Sequence, residues 1–261
     1  MNIRSRSTAA IVALGITVSL GLGACADKGS SSSGGGDATA SASAVDATSL
    51  LKSASEAAKA VTNAQFLIDV TGTVPNLPLT KATGGINVKP AVQAKGSAEL
   101  SMGGKLKGDF VFIDGKMYSN ISGRYVDYGD GASIFPVALL FDPAKGLPHV
   151  LSSISEPVAA GSETIEGAAT TKIVGKVRSG DVSALTGTRV VNPETKDVPV
   201  PVTVWIQSSG EHQLVRLQLV PAKDAALTMN FSKWGEKVDV VKPSVPAPSA
   251  VPSTTPGTPR N

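Results

Sequence analysis

Val92-Gln93-Ala94-Lys95-Gly96-Ser97-Ala98-Glu99-Leu100-Ser101-Met102 alternates residue by residue between small or apolar side chains and polar ones. Successive side chains of a strand point to opposite faces, so Val92, Ala94, Gly96, Ala98, Leu100 and Met102 share one face. Gln93, Lys95, Ser97, Glu99 and Ser101 share the other, and the strand is half buried in a sheet with one wet side. The apolar face is small at its centre and larger at its ends, which leaves room over the middle of the sheet unless a partner element fills it. A packed core and a ligand cavity both satisfy this pattern, and by themselves the residues favour the packed core.

The same period of two runs outward in both directions. Residues 65–73, 80–88, 106–113 and 116–119 read as further strands separated by Gly or Pro, an antiparallel meander. Residues 159–165, 169–177, 200–207, 212–219 and 225–234 continue it. Phe66, Ile68 and Val70, then Val202, Val204 and Ile206, then Val215, Leu217 and Leu219, then Leu227, Met229 and Phe231 supply matching apolar faces. Both faces of residues 110–113 are apolar, which leaves their inward side open.

Helical spacing appears in a few places. Asp46 caps a predicted helix to about Asn63, with Leu50, Leu51, Ala54, Ala57, Ala58 and Val61 on one stripe. Residues 134–141 and 143–154 also read as helices, the second through Leu147, Val150, Leu151 and Ile154. A short helix is expected over 180–185 and a loop over 192–198.

The N-terminus has a different chemistry. Arg4 and Arg6 precede an apolar run over 9–20, and Leu22-Gly23-Ala24-Cys25 closes it with small residues before the only cysteine. This is a lipoprotein signal: cleavage after residue 24 exposes Cys25, whose thiolate takes a diacylglycerol thioether. Two or more acyl chains, at about 0.8 kcal/mol per methylene, hold a protein stably on a membrane. The expected location is the outer face of the cell membrane. The apolar run is shorter than the about 20 residues of a membrane span. Residues 26–45, rich in Ser, Gly and Ala, form a tether of roughly 25 Å. The Pro-, Ser- and Thr-rich residues 243–261 read as a disordered tail. The expected organisation is thus signal 1–24, lipidated tether 25–45, one domain 46–242 and tail 243–261.

Charge and composition exclude several functions. Without Arg4 and Arg6 the 24 basic residues become 22 against 21 acidic ones, so the formal charge falls from +3 to +1. No Lys/Arg cluster suited to nucleic acid remains. The two histidines, His149 and His212, stand far apart in sequence, and no nucleophile elbow, zinc-binding helix or phosphate loop is present. No cofactor, no metal and no enzymatic activity are expected.

Three stretches carry a resemblance. Phe110-Val111-Phe112-Ile113-Asp114-Gly115-Lys116-Met117-Tyr118, then Pro201-Val202-Thr203-Val204-Trp205-Ile206-Gln207 with Gly210-Glu211-His212-Gln213-Leu214, then Ser232-Lys233-Trp234-Gly235-Glu236-Lys237-Val238, resemble the LppX/LprA/LprF/LprG lipoproteins of mycobacteria, with the LprF branch nearest. The Pro-rich tail departs from the pattern. The resemblance implies an α+β fold, an antiparallel half-barrel sheet with helices covering its concave face and an apolar cavity between the layers. It also implies that the cavity takes the acyl chains of envelope lipids or glycolipids, carried or presented without a covalent step. Val92, Ala94, Ala98, Leu100 and Met102 from the sheet, with Leu139, Leu140, Val150, Leu151 and Ile154 from the cover, are the expected lining. The alternative is an extracytoplasmic sensor or adaptor that binds a membrane signalling protein. A membrane transporter is a further candidate partner.

Overall fold

In the computed structural model, residues 46–74, 76–131, 134–186 and 197–245 are described. The chain opens with helix α1, Ala47–Ala60, whose cap Asp46 accepts hydrogen bonds from the Thr48 amide (3.0 Å) and the Ser49 hydroxyl. Those bonds favour the ionised cap and hold its pKa below the ordinary value. Leu50, Leu51, Ala54 and Ala58 are the buried stripe, as their spacing predicts.

Eleven strands then build one antiparallel sheet. They are β1 Asn63–Thr71, β2 Leu79–Asn87, β3 Gln93–Ser101, β4 Lys105–Ile113, β5 Lys116–Ser119 and β6 Val126–Asp127, followed by β7 Ser155–Ile165, β8 Ala168–Arg178, β9 Pro199–Gln207, β10 Leu214–Ala222 and β11 Ala225–Ser232. Their order is β6-β5-β4-β3-β2-β1-β11-β10-β9-β8-β7. Each half is a meander, and the two meet where β1 pairs with β11. Strands β6 and β7 therefore end up at opposite edges, although they are consecutive in the chain.

That order dictates the cover. Ten strand spacings would make a flat sheet about 48 Å wide, and the link between β6 and β7 must cross this width on one face. It does so with a 3-10 turn, Val137–Leu139, and helix α2, Leu147–Ser153. Helix α3, Ser179–Thr186, joins β8 to β9. One buried cluster unites the inner faces of the strands with α1, the link and α3.

The outer face carries a small satellite of Ile165, Trp205 and Val215. There Trp205 Nε1 donates to Glu163 Oε2 (2.9 Å), beneath Lys172 and Arg216. Hydrogen bonds from Lys172 and then from Trp205 hold the Glu163 carboxyl below its usual pKa. Beyond β11 the chain turns back over the outer face, where Asn87 clasps it. Asn87 Nδ2 donates to Val238 O (2.7 Å) and its Oδ1 accepts from Val238 N (2.9 Å).

The structure corrects several sequence expectations. Residues 134–141 hold a 3-10 turn in place of a helix, because Pro136 lacks an amide hydrogen and disfavours helical backbone before it. Helix α2 begins only at Leu147, since Asp142 Oδ1 accepts from the amides of Ala144 and Lys145 (2.9 Å each) and folds the preceding residues into a turn. Strand β7 starts four residues earlier than its alternation suggests, β10 starts after His212 because that residue has φ 54°, and the short β6 has no counterpart in the sequence pattern. Trp234 lies beyond the end of β11. Cys25, the tether, most of the loop 192–198 and the tail after 245 lie outside the described residues.

Candidate functional site

Small residues face one another across the inner side of β2 and β3. The register pairs Ala82 with Ala98, Gly84 with Gly96 and Ile86 with Ala94. At Gly84 and Gly96 the backbones approach so closely that a Cβ would lie 2.2 Å from Lys95 O or 2.0 Å from Thr83 O, so only glycine fits. The adjoining strand settles the ambiguity over 110–113: Phe112 pairs with Ala94 and Phe110 with Gly96, which puts both rings inside. Phe110 stacks on Phe66 with ring centroids 6.5 Å apart.

Between this floor and the link lies an apolar crevice of about 20 Å³. Phe66, Leu79, Ala82, Ala98, Phe110, Met117 and Ile121 line it from below, and Ile134, Phe135 and Val137 close it from above. Among the described residues its one polar side chain is spent, because Ser119 Oγ donates to Asp109 O (2.8 Å) and accepts from Ile121 N (3.3 Å). The described walls thus offer no free acid, base or nucleophile, and they suit a ligand with nothing to hydrogen-bond. A second opening, of about 210 Å³, lies under the next stretch of the link against Ile86, Val88, Val92, Ala138 and Phe141.

Of the residues expected to line a cavity, Ala98 lines the crevice and Val92 the second opening. Ala94, Leu100, Leu140, Val150, Leu151 and Ile154 are buried in the common core, and Leu139 is half-buried in the 3-10 turn. Met102 is a correction: it is 58% exposed, because β3 ends at Ser101 and Met102 N bonds to Gly104 O (3.1 Å) in the turn beyond the cover. Sequence reasoning missed the aromatic wall of Phe66, Phe110 and Phe135. The inward alternation of β1 carried the signal for Phe66, but nothing local marks which inward residues the link leaves uncovered.

Both histidines lie within hydrogen-bond distance of protein oxygens. His149 Nε2 lies 3.1 Å from Asp181 Oδ1, which joins α2 to α3, and His212 Nδ1 lies 2.9 Å from Gln207 O in a hairpin turn. Among the described residues no group of His, Cys, Asp and Glu is placed to hold a metal, and no helix is long and apolar enough to cross a membrane.

Two solved mycobacterial lipoproteins share this fold. LprF from Mycobacterium bovis superposes with a TM-score of 0.66 at 22% identity, over 76% of this chain and 97% of that one. LppX from Mycobacterium tuberculosis gives 0.59 at 25% identity, over 74% and 97%. The family model "LppX_LprAFG lipoprotein" matches residues 46–240, which takes in all eleven strands. The chain belongs to this lipoprotein family. Lipoprotein LprA of Mycobacterium tuberculosis is 43% identical over 201 residues, 76% of this chain and 82% of that protein. The lipoarabinomannan carrier protein LprG of the same organism is 37% identical over 202 residues, 77% and 83% respectively. The likeness to LprF is therefore one of fold, while LprA and LprG share more of the sequence.

Proposed function

We propose that this family member is a membrane-anchored, non-enzymatic carrier that takes the acyl chains of lipids or glycolipids between sheet and link and presents them outside the cell membrane. The observation that carries the reading is the crevice, whose only polar side chain among the described residues is already satisfied within the protein. The name of the LprG relative, a lipoarabinomannan carrier, supports it, as does the acylation signal at Cys25.

At about 20 Å³ the crevice has room for about one water, so loading requires the cover to part. The link is built for that. Among the described residues the amides of Ile134, Phe135, Val137, Leu139, Leu140, Asp142, Gly146 and Leu147 all donate within the link itself or to Gly131. Phe135, Val137, Leu140 and Phe141 hold it to the sheet by apolar packing. None of these amides is bonded to the sheet, and an incoming chain, at about 0.8 kcal/mol per buried methylene, takes the place of those apolar side chains against the sheet.

The test is transfer of a fluorescent acylated lipid between donor and acceptor vesicles. The purified protein is expected to raise the rate above spontaneous exchange in proportion to its concentration. A rate equal to the spontaneous one, for glycolipid and phospholipid alike, contradicts the carrier reading.

A further inference from the structure

The β3–β4 turn has a composition that neither core packing nor the crevice explains. Ser101 pairs with Lys105, leaving a loop of Met102, Gly103 and Gly104. A Cβ at either glycine would meet nothing within 4 Å, so the turn stands clear of the body of the domain. Met102 is 58% exposed and Leu106 39%. The other exposed large hydrophobics among the described residues are single valines, and only Met102 and Leu106 share a turn. Isolated exposed apolar residues are ordinary, but an apolar pair at a projecting turn is not.

Lysines flank the pair. Lys105 and Lys107 are exposed; Lys107 Nζ reaches Glu99 (3.2 Å) while its side chain stays 71% exposed. With Lys81 they border an open hollow of about 480 Å³ that also touches Asp69 and Glu99. Leu106 pairs with Leu100, two residues from Ala98, so the apolar line of the crevice floor runs out to this turn.

The register tells which way the turn points. Traced across the sheet from Ser155–Lys176 to Ser101–Lys105, the start of β7 and the β3–β4 turn lie at the same end of the strands. The last turn of α1 lies at the other end, where Lys89 Nζ donates to Lys59 O (3.1 Å) just past β2, and the helix runs from there toward the start of β7, Thr48 sharing a hollow with Ile154 and Pro157. The chain that leads back to Cys25 joins the domain there.

We propose that the β3–β4 turn docks on an anionic bilayer, with Met102 and Leu106 entering its apolar layer and Lys105 and Lys107 meeting its headgroups. The inference goes beyond the carrier reading and does not depend on it, since an anchored sensor would gain the same orientation.

The test places an indole at the turn. The full chain carrying Met102→Trp is reconstituted in phosphatidylcholine vesicles with and without phosphatidylglycerol, some with brominated acyl chains, and Val241→Trp serves as reference. Val241 is 70% exposed and adjoins Lys242, which reaches Asp114 in the β4–β5 turn at the opposite end of the strands. In anionic vesicles the emission that Met102→Trp adds to that of the parent, which carries Trp205 and Trp234, is expected to shift to the blue and to be quenched by bromine, while that added by Val241→Trp is unchanged. Adding Lys105→Glu and Lys107→Glu is expected to cut the quenching at least about fivefold, the factor that one lysine near an anionic surface is worth. Circular dichroism confirms that each variant is folded. Quenching of Met102→Trp no greater than that of Val241→Trp, or quenching indifferent to the lysine reversals, overturns the proposal. Lipid transfer does not enter this readout, so the two proposals fail separately.

Discussion

Ala98 presents one methyl group to a crevice of about 20 Å³ and is itself 8% exposed. An indole at this position cannot fit without displacing Ile134, Phe135 or Val137. Ala98→Trp is therefore expected to lower stability by about 1–3 kcal/mol, the usual range for overpacking, and to exclude acyl chains. Urea unfolding and bound-lipid analysis of the same variant check both effects. Asn87 is the opposite case, a 4% exposed amide whose oxygen and nitrogen are both bonded. Its Oδ1 also accepts from Asn63 Nδ2 (2.7 Å), so Asn87→Ala strands both main-chain groups of Val238 and the Asn63 amide. A loss of about 1–3 kcal/mol in the same unfolding assay is expected, with lipid binding retained. At this scale the alternation of 92–102 was readable for Ala94, Ala98 and Leu100. It failed at Met102, because alternation names a face but not the point where the partner layer stops; Gly103-Gly104 was the available sign of that point. Asn87 was not legible at all, since its partner is 151 residues away.

The link is the element that the proposed carrier must move. Its amides bond locally, whereas β1 is bonded on both sides, to β2 and to β11. Hydrogen exchange in the lipid-free protein is expected to be faster over 134–146 than over β1 and β11, and to slow in the link when glycolipid is loaded. Equal protection of link and sheet, unchanged by lipid, would instead describe a closed core. Strands with one wet face were legible because their period of two survives burial on the other side. The link was not, because its apolar residues mimic helical spacing while Pro136 and the Asp142 turn break the helix. The early part of β7 escaped for a different reason: its residues from Ser155 to Thr164 are almost wholly exposed, so no buried face imposes alternation.

For the molecule as a whole, the order of strands converts one long connection into a cover, and no local sequence signal reveals that order. Its two halves read plainly as meanders; that β1 pairs with β11 is a long-range fact that no stretch of the sequence states, and the family resemblance implied only the half-barrel and its cover. Among the described residues the buried cluster runs from Ala47 onward, so a chain beginning at Asp46 is expected to unfold cooperatively on heating. Cys25→Ala in the full chain is expected to abolish lipidation, so that its mass lacks the acyl increment and it leaves the membrane fraction. An unchanged mass and fractionation would remove the anchor from the account.

The most direct measurement is organic extraction of the folded chain beginning at Asp46, purified after exposure to envelope lipids, followed by mass spectrometry of the extract. Acylated lipid in a fixed ratio to protein is the expected result, and the Ala98→Trp variant, still folded, should carry little or none. A lipid-free parent, or a variant loaded as fully as its parent, would contradict the placement of acyl chains between sheet and link.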